Sequence, residues 1–369
     1  MIIGVPKEIK TLENRVSLTP AGVSQLTKFE HKVIIEKSAG VGSGITDEMY
    51  KKEGAIIVNS ADAVYNDTNM IIKVKEPQLA ELEKIHEGQI IFTYLHLAPN
   101  KLLTEGLIEK KAIAISYETI EKDGKLPLLE PMSEIAGKIG SLMASYHLAK
   151  PYGGKGTLPG GVAGVHSARY LIIGGGTAGI NAAKIASGLG ARVTIMDTNI
   201  DRLRYLEDVL PSNCEMIFSD KTNLETELSN CDAIVCTVLI AGASTPKLIT
   251  RNMLKNIQDG SVLVDISIDQ GGCAETSKPT THADPVYTVD GILHYCVANM
   301  PGAYPKTSTY ALTNATIPYV IKLANLDWKE AIRKDYALSM GLNIAYGKIT
   351  YEAVAKAHNM EYTPVSMIL

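Results

Sequence analysis

Short apolar runs, rich in β-branched residues, recur through the first 120 residues at 1–4, 32–36, 55–58, 70–74, 89–95 and 112–116, with helical stretches between them. Runs of this length alternating with helices predict a parallel sheet covered by helices on both faces. The same pattern restarts at Arg169 and continues through 192–196, 214–218, 232–237 and 262–266, so the chain holds two α/β units. Between them Ser133 is a candidate helix N-cap with Glu134 in the first turn. Ile135, Ile139, Leu142 and Tyr146 follow at helical spacing as one apolar stripe. The segment 150–164, KPYGGKGTLPGGVAG, is too rich in glycine and proline for a helix or strand and predicts a surface loop. After Pro305 the pattern reads as helical to the end. A helical tail cannot build an α/β domain alone, so it is placed back on the first unit.

The resulting expectation is an α/β protein of two Rossmann-like, doubly wound domains, separated by a cleft and joined by long helices. Residues 1–128 and 307–369 form a discontinuous substrate and catalytic domain, and 129–306 a nucleotide-binding domain. A chain of 369 residues exceeds what one core usually serves, which agrees with two domains. A net charge of −4 without a long basic run argues against nucleic acid and anionic membrane as partners, leaving a small molecule. The five cysteines have neither paired nor metal-ligand spacing and read as buried free thiols, with no metal site expected. The start MIIGVPKEIK lacks the apolar stretch of a signal peptide, and no segment reaches membrane-spanning length, so a cytoplasmic protein is expected.

The second unit opens with RYLIIGGGTAGINAAKIASGLGARVTIMD, residues 169–197. A strand runs into Gly174-x-Gly176-x-x-Gly179, then a helix, then a second strand ending at Asp197. In such a unit the first glycine permits the tight turn, the second lets backbone approach a pyrophosphate, and the third allows helix and strand to pack closely. An acid about 20 residues further on accepts hydrogen bonds from an adenosine ribose. Three glycines alone are weak evidence. Strand, helix and acid in the right order identify a dinucleotide-binding βαβ unit.

Ligands of open α/β sheets bind beyond the carboxyl ends of the strands. QIIFTYL delivers His96 there, with Tyr94 two residues earlier, MIIKV delivers Lys75, and SVLVDIS is followed by Asp269. Each has a plainer alternative. His96 could be a loop histidine satisfied by backbone, Lys73 and Lys75 could guard a strand edge, and Asp269 beside Gly271 and Gly272 could be turn chemistry. Arg15 could be a surface charge ahead of a helix that Thr19 caps and Pro20 begins. His31, His86 and His358 read as solvated.

The segments KEIKTLENRVSLTPAGV (7–23), KVKEP (73–77), TYLHLAP (93–99), DISIDQGG (265–272) and VANMPGAYPKTST (297–309) lie in the order, and over the length, that resembles the alanine dehydrogenase family. The N-terminal motifs are also shared with the nicotinamide nucleotide transhydrogenase α subunit. The resemblance implies reversible NAD-dependent oxidative deamination of L-alanine to pyruvate and ammonium, in a homo-hexamer. It implies Arg15 and Lys75 as ligands of the substrate carboxylate, His96 as the acid/base, and Asp269 as a second catalytic residue. By the same resemblance the NAD contacts are Ser133, Gly174, Gly176, Thr177, Gly179, Asp197, Arg202, Ser219, Val238, Leu239, Ile266, Ser267, Ile268, Asp269, Lys278, Val297, Ala298, Asn299 and Met300. Departures from the family pattern are Ser267 for alanine, Lys278 and Lys306 for arginine, and Tyr304 for valine; lysine offers no bidentate fork. Alternatives are a dehydrogenase of another small amino acid, a transhydrogenase α-like subunit, and a silent NAD(H)-binding sensor.

Overall fold

The computed structural model describes residues 1–238 and 245–369. The chain divides into two compact units, Met1–Met132 with Tyr304–Leu369, and Ser133–Ala303. Its strands are β1 (Ile2–Val5), β2 (Lys32–Glu36), β3 (Ile56–Val58), β4 (Met70–Ile72), β5 (Ile90–Thr93), β6 (Ile113–Ser116), β7 (Arg169–Ile173), β8 (Arg192–Asp197), β9 (Cys214–Phe218), β10 (Ala233–Cys236), β11 (Val262–Asp265), β12 (Val286–Val289), β13 (Ile292–Tyr295), β14 (Leu342–Ala345) and β15 (Lys348–Ile349).

The first unit holds an eight-stranded sheet in the order β15-β14-β6-β5-β4-β1-β2-β3. Strands β1 to β6 are parallel, with Ile3 opposite Met70, Met70 opposite Ile90 and Ile90 opposite Ile113. Strands β4, β5 and β6 are buried at every residue, which is why they read as continuous apolar runs rather than as alternation. The tail differs from its all-helical expectation. After the long helix Pro305–Leu326 and two short ones it forms the antiparallel hairpin β14–β15, which extends the sheet beside β6. Tyr346 and Gly347, both at positive φ (50° and 81°), make the two-residue turn whose twist suits a hairpin, and Ile344 and Ile349 are buried by it.

The second unit holds a seven-stranded sheet in the order β12-β13-β11-β10-β7-β8-β9, parallel except for β12 on β13. The helix Glu130–His147 begins three residues before Ser133, which lies inside it and is not its N-cap. Its expected apolar stripe is only half realised: Ile135 and Ile139 are buried, whereas Leu142 and Tyr146 are exposed. A second packed face is made of small residues. A Cβ on Gly137 would lie 2.1 Å from the Ala178 carbonyl oxygen, Ser141 donates to the Ala182 carbonyl at 2.8 Å, and Ala144 is fully buried. Close approach of backbone, not burial of bulky side chains, sets that face.

Cys231, Cys236, Cys273 and Cys296 are buried free thiols, while Cys214 is half-buried. His31 is buried, not solvated, with Nε2 2.7 Å from the Asn325 carboxamide oxygen. Among the described residues no helix is long and apolar enough to cross a membrane.

Candidate functional site

In the first unit the strand order reverses between β1 and β4, so the segments after these two strands diverge at a topological switch point. The chain leaving β1 carries Glu8, Glu13 and Arg15, and the chain leaving β4 carries Lys73 and Lys75. Strand β4 is central, so neither lysine guards an edge. Lys73 is fully enclosed, at 3.1 Å from Glu8 Oε2 and 2.8 Å from Glu81 Oε1. Burial opposes its charge, but the two carboxylates outweigh it and hold its pKa above the ordinary value. Glu8 uses Oε1 to accept from the backbone N–H groups of Val74 (2.7 Å) and Lys75 (3.3 Å), and so fixes the segment that presents Lys75.

Arg15 is buried, not a surface charge. Glu13 takes it bidentately, Nε donating to Oε1 at 2.7 Å and Nη2 to Oε2 at 2.5 Å, while Nη1 lies 3.1 Å from Met132 Sδ. Burial works against the guanidinium, yet Glu13 raises its pKa above the usual value, so it is a permanent cation. Thr19 and Pro20 do start the following helix, with the Thr19 hydroxyl accepting from Gly22 N–H. Beside this cation Tyr94 is buried, its hydroxyl donating to the Leu128 carbonyl at 2.5 Å. Burial pushes its pKa well up, more than the charge of Arg15 draws it down.

His96 follows β5, the strand next to β4, and its side chain is 45% exposed. Its ring stacks on Tyr94 at 6.0 Å and 14°, and its backbone is left-handed at φ 48°. Glu118, just beyond β6, accepts from His96 N–H at 2.6 Å and from Leu95 N–H at 3.2 Å. Thus Arg15, Lys75 and His96 are all delivered at the carboxyl ends of neighbouring strands, and each is held by a glutamate. Glu8, Glu13 and Glu118 escaped sequence reasoning. For Glu13 a signal existed, since Glu-x-Arg in a loop entering a buried sheet end invites pairing; the other two depend on contacts across 66 and 22 residues.

In the second unit the order reverses between β7 and β10. Gly174 turns at φ 99°, held by Thr237 Oγ1, which donates to its carbonyl at 2.7 Å. At Gly179 a Cβ would lie 1.9 Å from the Gly174 carbonyl oxygen, so no other residue fits. At Gly176 a Cβ would meet nothing within 4 Å, and Gly176 gives the helix Thr177–Gly188 no side-chain cap. Open space in front of uncapped N–H groups suits a pyrophosphate. Asp197 ends β8 and accepts from Gly175 N–H (2.7 Å) and Asn199 N–H (2.8 Å), with lone pairs remaining for ribose hydroxyls. Arg202 Nε donates to the Gly175 carbonyl at 2.6 Å, and Ser219 N–H donates to the Asp197 carbonyl at 3.0 Å. These residues fit a dinucleotide.

Beyond β11 the chain forms a short helical turn, Ile266–Gln270, in which Ser267 and Ile268 are buried and Asp269 is exposed. The fully buried Asp265 organises it, accepting from Ser267, Cys273 and Ala274 N–H and, at 2.5 Å, from the Ser277 hydroxyl. Burial raises the Asp265 pKa against these four donors. Ser267 Oγ donates to the Val238 carbonyl at 2.7 Å, and Leu239 lies outside the described residues. Lys278 is exposed, its ammonium 4.4 Å from the centre of the Tyr287 ring. In the segment after β13, Val297 and Met300 are buried, Ala298 and Asn299 are half-buried, and Asn299 is left-handed at φ 61°.

Two family models match the chain: the alanine dehydrogenase/PNT N-terminal domain over residues 4–136, and the corresponding C-terminal domain over 140–352. An alanine dehydrogenase of Methanococcus maripaludis is 52% identical over 100% of both chains. One of Bacillus subtilis is 49% identical over 100% of this chain and 98% of its own. A solved L-alanine dehydrogenase superposes with a TM-score of 0.94 at 45% identity, covering 97% of this chain and 99% of that one. A Sinorhizobium meliloti transhydrogenase shares the fold at a TM-score of 0.81 and 22% identity. With both family domains matched and near-half identity over full length, this chain belongs to the alanine dehydrogenase/PNT family.

Proposed function

We propose that this chain is an L-alanine dehydrogenase, which interconverts L-alanine, NAD and water with pyruvate, ammonium, NADH and a proton. The observation that carries the reading is the cation pair at the first unit's switch point: Arg15, buried and kept charged by Glu13, and Lys75, presented by a segment that Glu8 holds. Buried cations of this kind suit a small carboxylate, and a protein that only carried nucleotide would have no use for them. The same argument weighs against a transhydrogenase-like subunit and a silent sensor.

In this reading Arg15 and Lys75 bind the substrate carboxylate and orient Cα, an effect that lowers a barrier by several kcal/mol. The nicotinamide, when bound, supplies the hydride acceptor. His96 takes and returns protons as water adds to the imine of the substrate and ammonia leaves, work suited to an imidazole, which can both accept and donate a proton. Asp269, exposed on the turn that Asp265 holds, is the second catalytic residue. We assign the cofactor as NAD because the Asp197 carboxylate would repel a 2′-phosphate. The nucleotide unit spans 129–306 and the substrate unit 1–128 with 307–369, in a cytoplasmic homo-hexamer.

The test is NADH absorbance with pyruvate plus ammonium, then with glyoxylate or 2-oxobutyrate in place of pyruvate. The expected result is oxidation only when keto acid and ammonium are both present, fastest with pyruvate. Oxidation of NADH without ammonium, or none with any keto acid, would overturn the reading.

A further inference from the structure

His96 combines two features that local sequence does not explain. Its backbone sits at φ 48°, in the left-handed region that a residue bearing a Cβ seldom adopts. Directly opposite, one carboxylate collects two consecutive backbone N–H groups: Glu118 Oε1 accepts from His96 at 2.6 Å, and both Glu118 oxygens lie 3.2 Å from the Leu95 nitrogen. Two adjacent N–H groups converging on one acceptor require a local bend of the chain, and an ionised acceptor makes such bonds strong. The imidazole itself is not hydrogen-bonded to this carboxylate, since Nδ1 stands 3.9 Å from Oε1. The hydrogen bonds of Glu118 therefore go to the backbone of His96, and toward the ring its carboxylate stands only at ion-pair distance, a pair that is charged when the imidazole is protonated.

We propose that Glu118 is a positioning residue which, by holding the Leu95 and His96 N–H groups, keeps His96 left-handed and its imidazole parallel to the Tyr94 ring. The arrangement has a clear mechanical logic. Strand β5 is fixed by pairing to β4 and β6, and Glu118 stands on the turn Tyr117–Thr119 immediately after β6. The carboxylate thus ties the end of one strand to the next, two residues beyond the last paired residue of β5. Without that tie the backbone at His96 relaxes to negative φ, and a change of this size swings the ring away from its place beside Tyr94. Orientation errors of an ångström at a proton-transferring group lower turnover steeply while leaving binding intact. The kinetic part of this proposal rests on the reading of His96 as the acid/base; the backbone part does not.

The experiment compares Glu118→Ala with Glu118→Gln in the full-length protein. Glu118→Ala is expected to lower kcat for pyruvate amination by about 30-fold or more, with KM for pyruvate and Kd for NADH within about threefold, because orientation and not binding is lost. Glu118→Gln keeps an oxygen acceptor for the N–H groups and is expected to recover at least about tenfold of that loss. If Glu118→Ala does not fold, Glu118→Met, of similar length and without an acceptor, takes its place. A crystal structure of the acceptor-less variant is the readout independent of activity, with φ of His96 expected to be negative. A kcat within threefold of the parent, a loss confined to KM, a Gln variant as slow as the Ala variant, or a His96 still at positive φ would each overturn the proposal. A parent enzyme that oxidises no NADH would sink the dehydrogenase reading instead, and the His96 backbone in the variant structure would still decide the role of Glu118.

Discussion

The two units use one strand order to build the two regions proposed as anion sites, and they build them differently. Each has its first strand at the centre and reverses direction beside it, β1 against β4 in one and β7 against β10 in the other. After β7 the chain enters Gly174 to Gly179 and a helix at once, so what it offers is backbone N–H and empty space. After β1 it has Pro6, Lys7 and Glu8 and no helix until Pro20, so what it offers is side-chain charge. The difference follows from the ligands proposed for them. A pyrophosphate is large enough to span a helix N-terminus and take its dipole. A three-carbon acid presents one carboxylate, and only discrete cations hold it in one orientation. The charged site needs a second layer, because a buried guanidinium or ammonium is tolerable only when it is paired. The glycine site needs mainly the absence of side chains, with Thr237 and Asp197 holding its turn.

The contrast is broken most sharply at His96, the group of the charged site proposed to do the chemistry. His96→Ala is expected to lower turnover by about 10²–10⁴-fold while NADH binds as in the parent, measured by stopped-flow amination and NADH fluorescence titration. Turnover within tenfold of the parent would remove His96 from the mechanism. Next comes the cost of the second layer. Glu13→Ala leaves the buried Arg15 without its bidentate partner and should cost ~3–5 kcal/mol in urea unfolding, together with affinity for pyruvate. An unchanged midpoint would mean that the pair does not matter to the fold.

Gly179→Ala probes the other site by volume alone. Its Cβ would lie 1.9 Å from the Gly174 oxygen, so helix and turn must part, at a cost of ~1–3 kcal/mol and with weakened NADH binding. Wild-type NADH affinity in that variant would contradict the packing argument. The smallest effect is titration in the second unit. His294 is buried, and burial lowers its pKa below the ordinary value. The unfolded chain therefore binds a proton that the folded one refuses, and stability falls as pH drops through the unfolded value of about 6.5. Thermal melts at pH 7.5 and 5.5 should separate more for the parent than for His294→Gln, and equal separations would refute the assignment.

Legibility of the chain divided along the same line. The glycine turn was readable because its determinants are neighbours in sequence and act through backbone geometry: Gly174 turns at φ 99°, and Gly179 packs where no Cβ fits. Strands β4, β5 and β6 were readable because burial on both faces leaves an unbroken apolar run. The hairpin β14–β15 was not, since each strand is short and its stability comes from docking on β6, which no local periodicity reports. The helix Glu130–His147 misled through its large residues. Leu142 and Tyr146 suggested the buried face, while Gly137, Gly140, Ser141 and Ala144 make a second packed one, because close backbone approach selects small side chains that leave no hydrophobic signal.

By itself the sequence determined the α/β class and the strand–glycine turn–helix order at 169–188, because strand runs and glycine turns are local consequences of the chain. Only the tertiary structure decided that Arg15 is buried on Glu13, that Lys73 lies between Glu8 and Glu81, and that Glu118 accepts from the His96 backbone N–H. Those partners come from different strand ends that the order of the sheet brings together. A buried charge takes whichever counter-charge the fold places within reach, and the chain's local pattern carries no record of that choice.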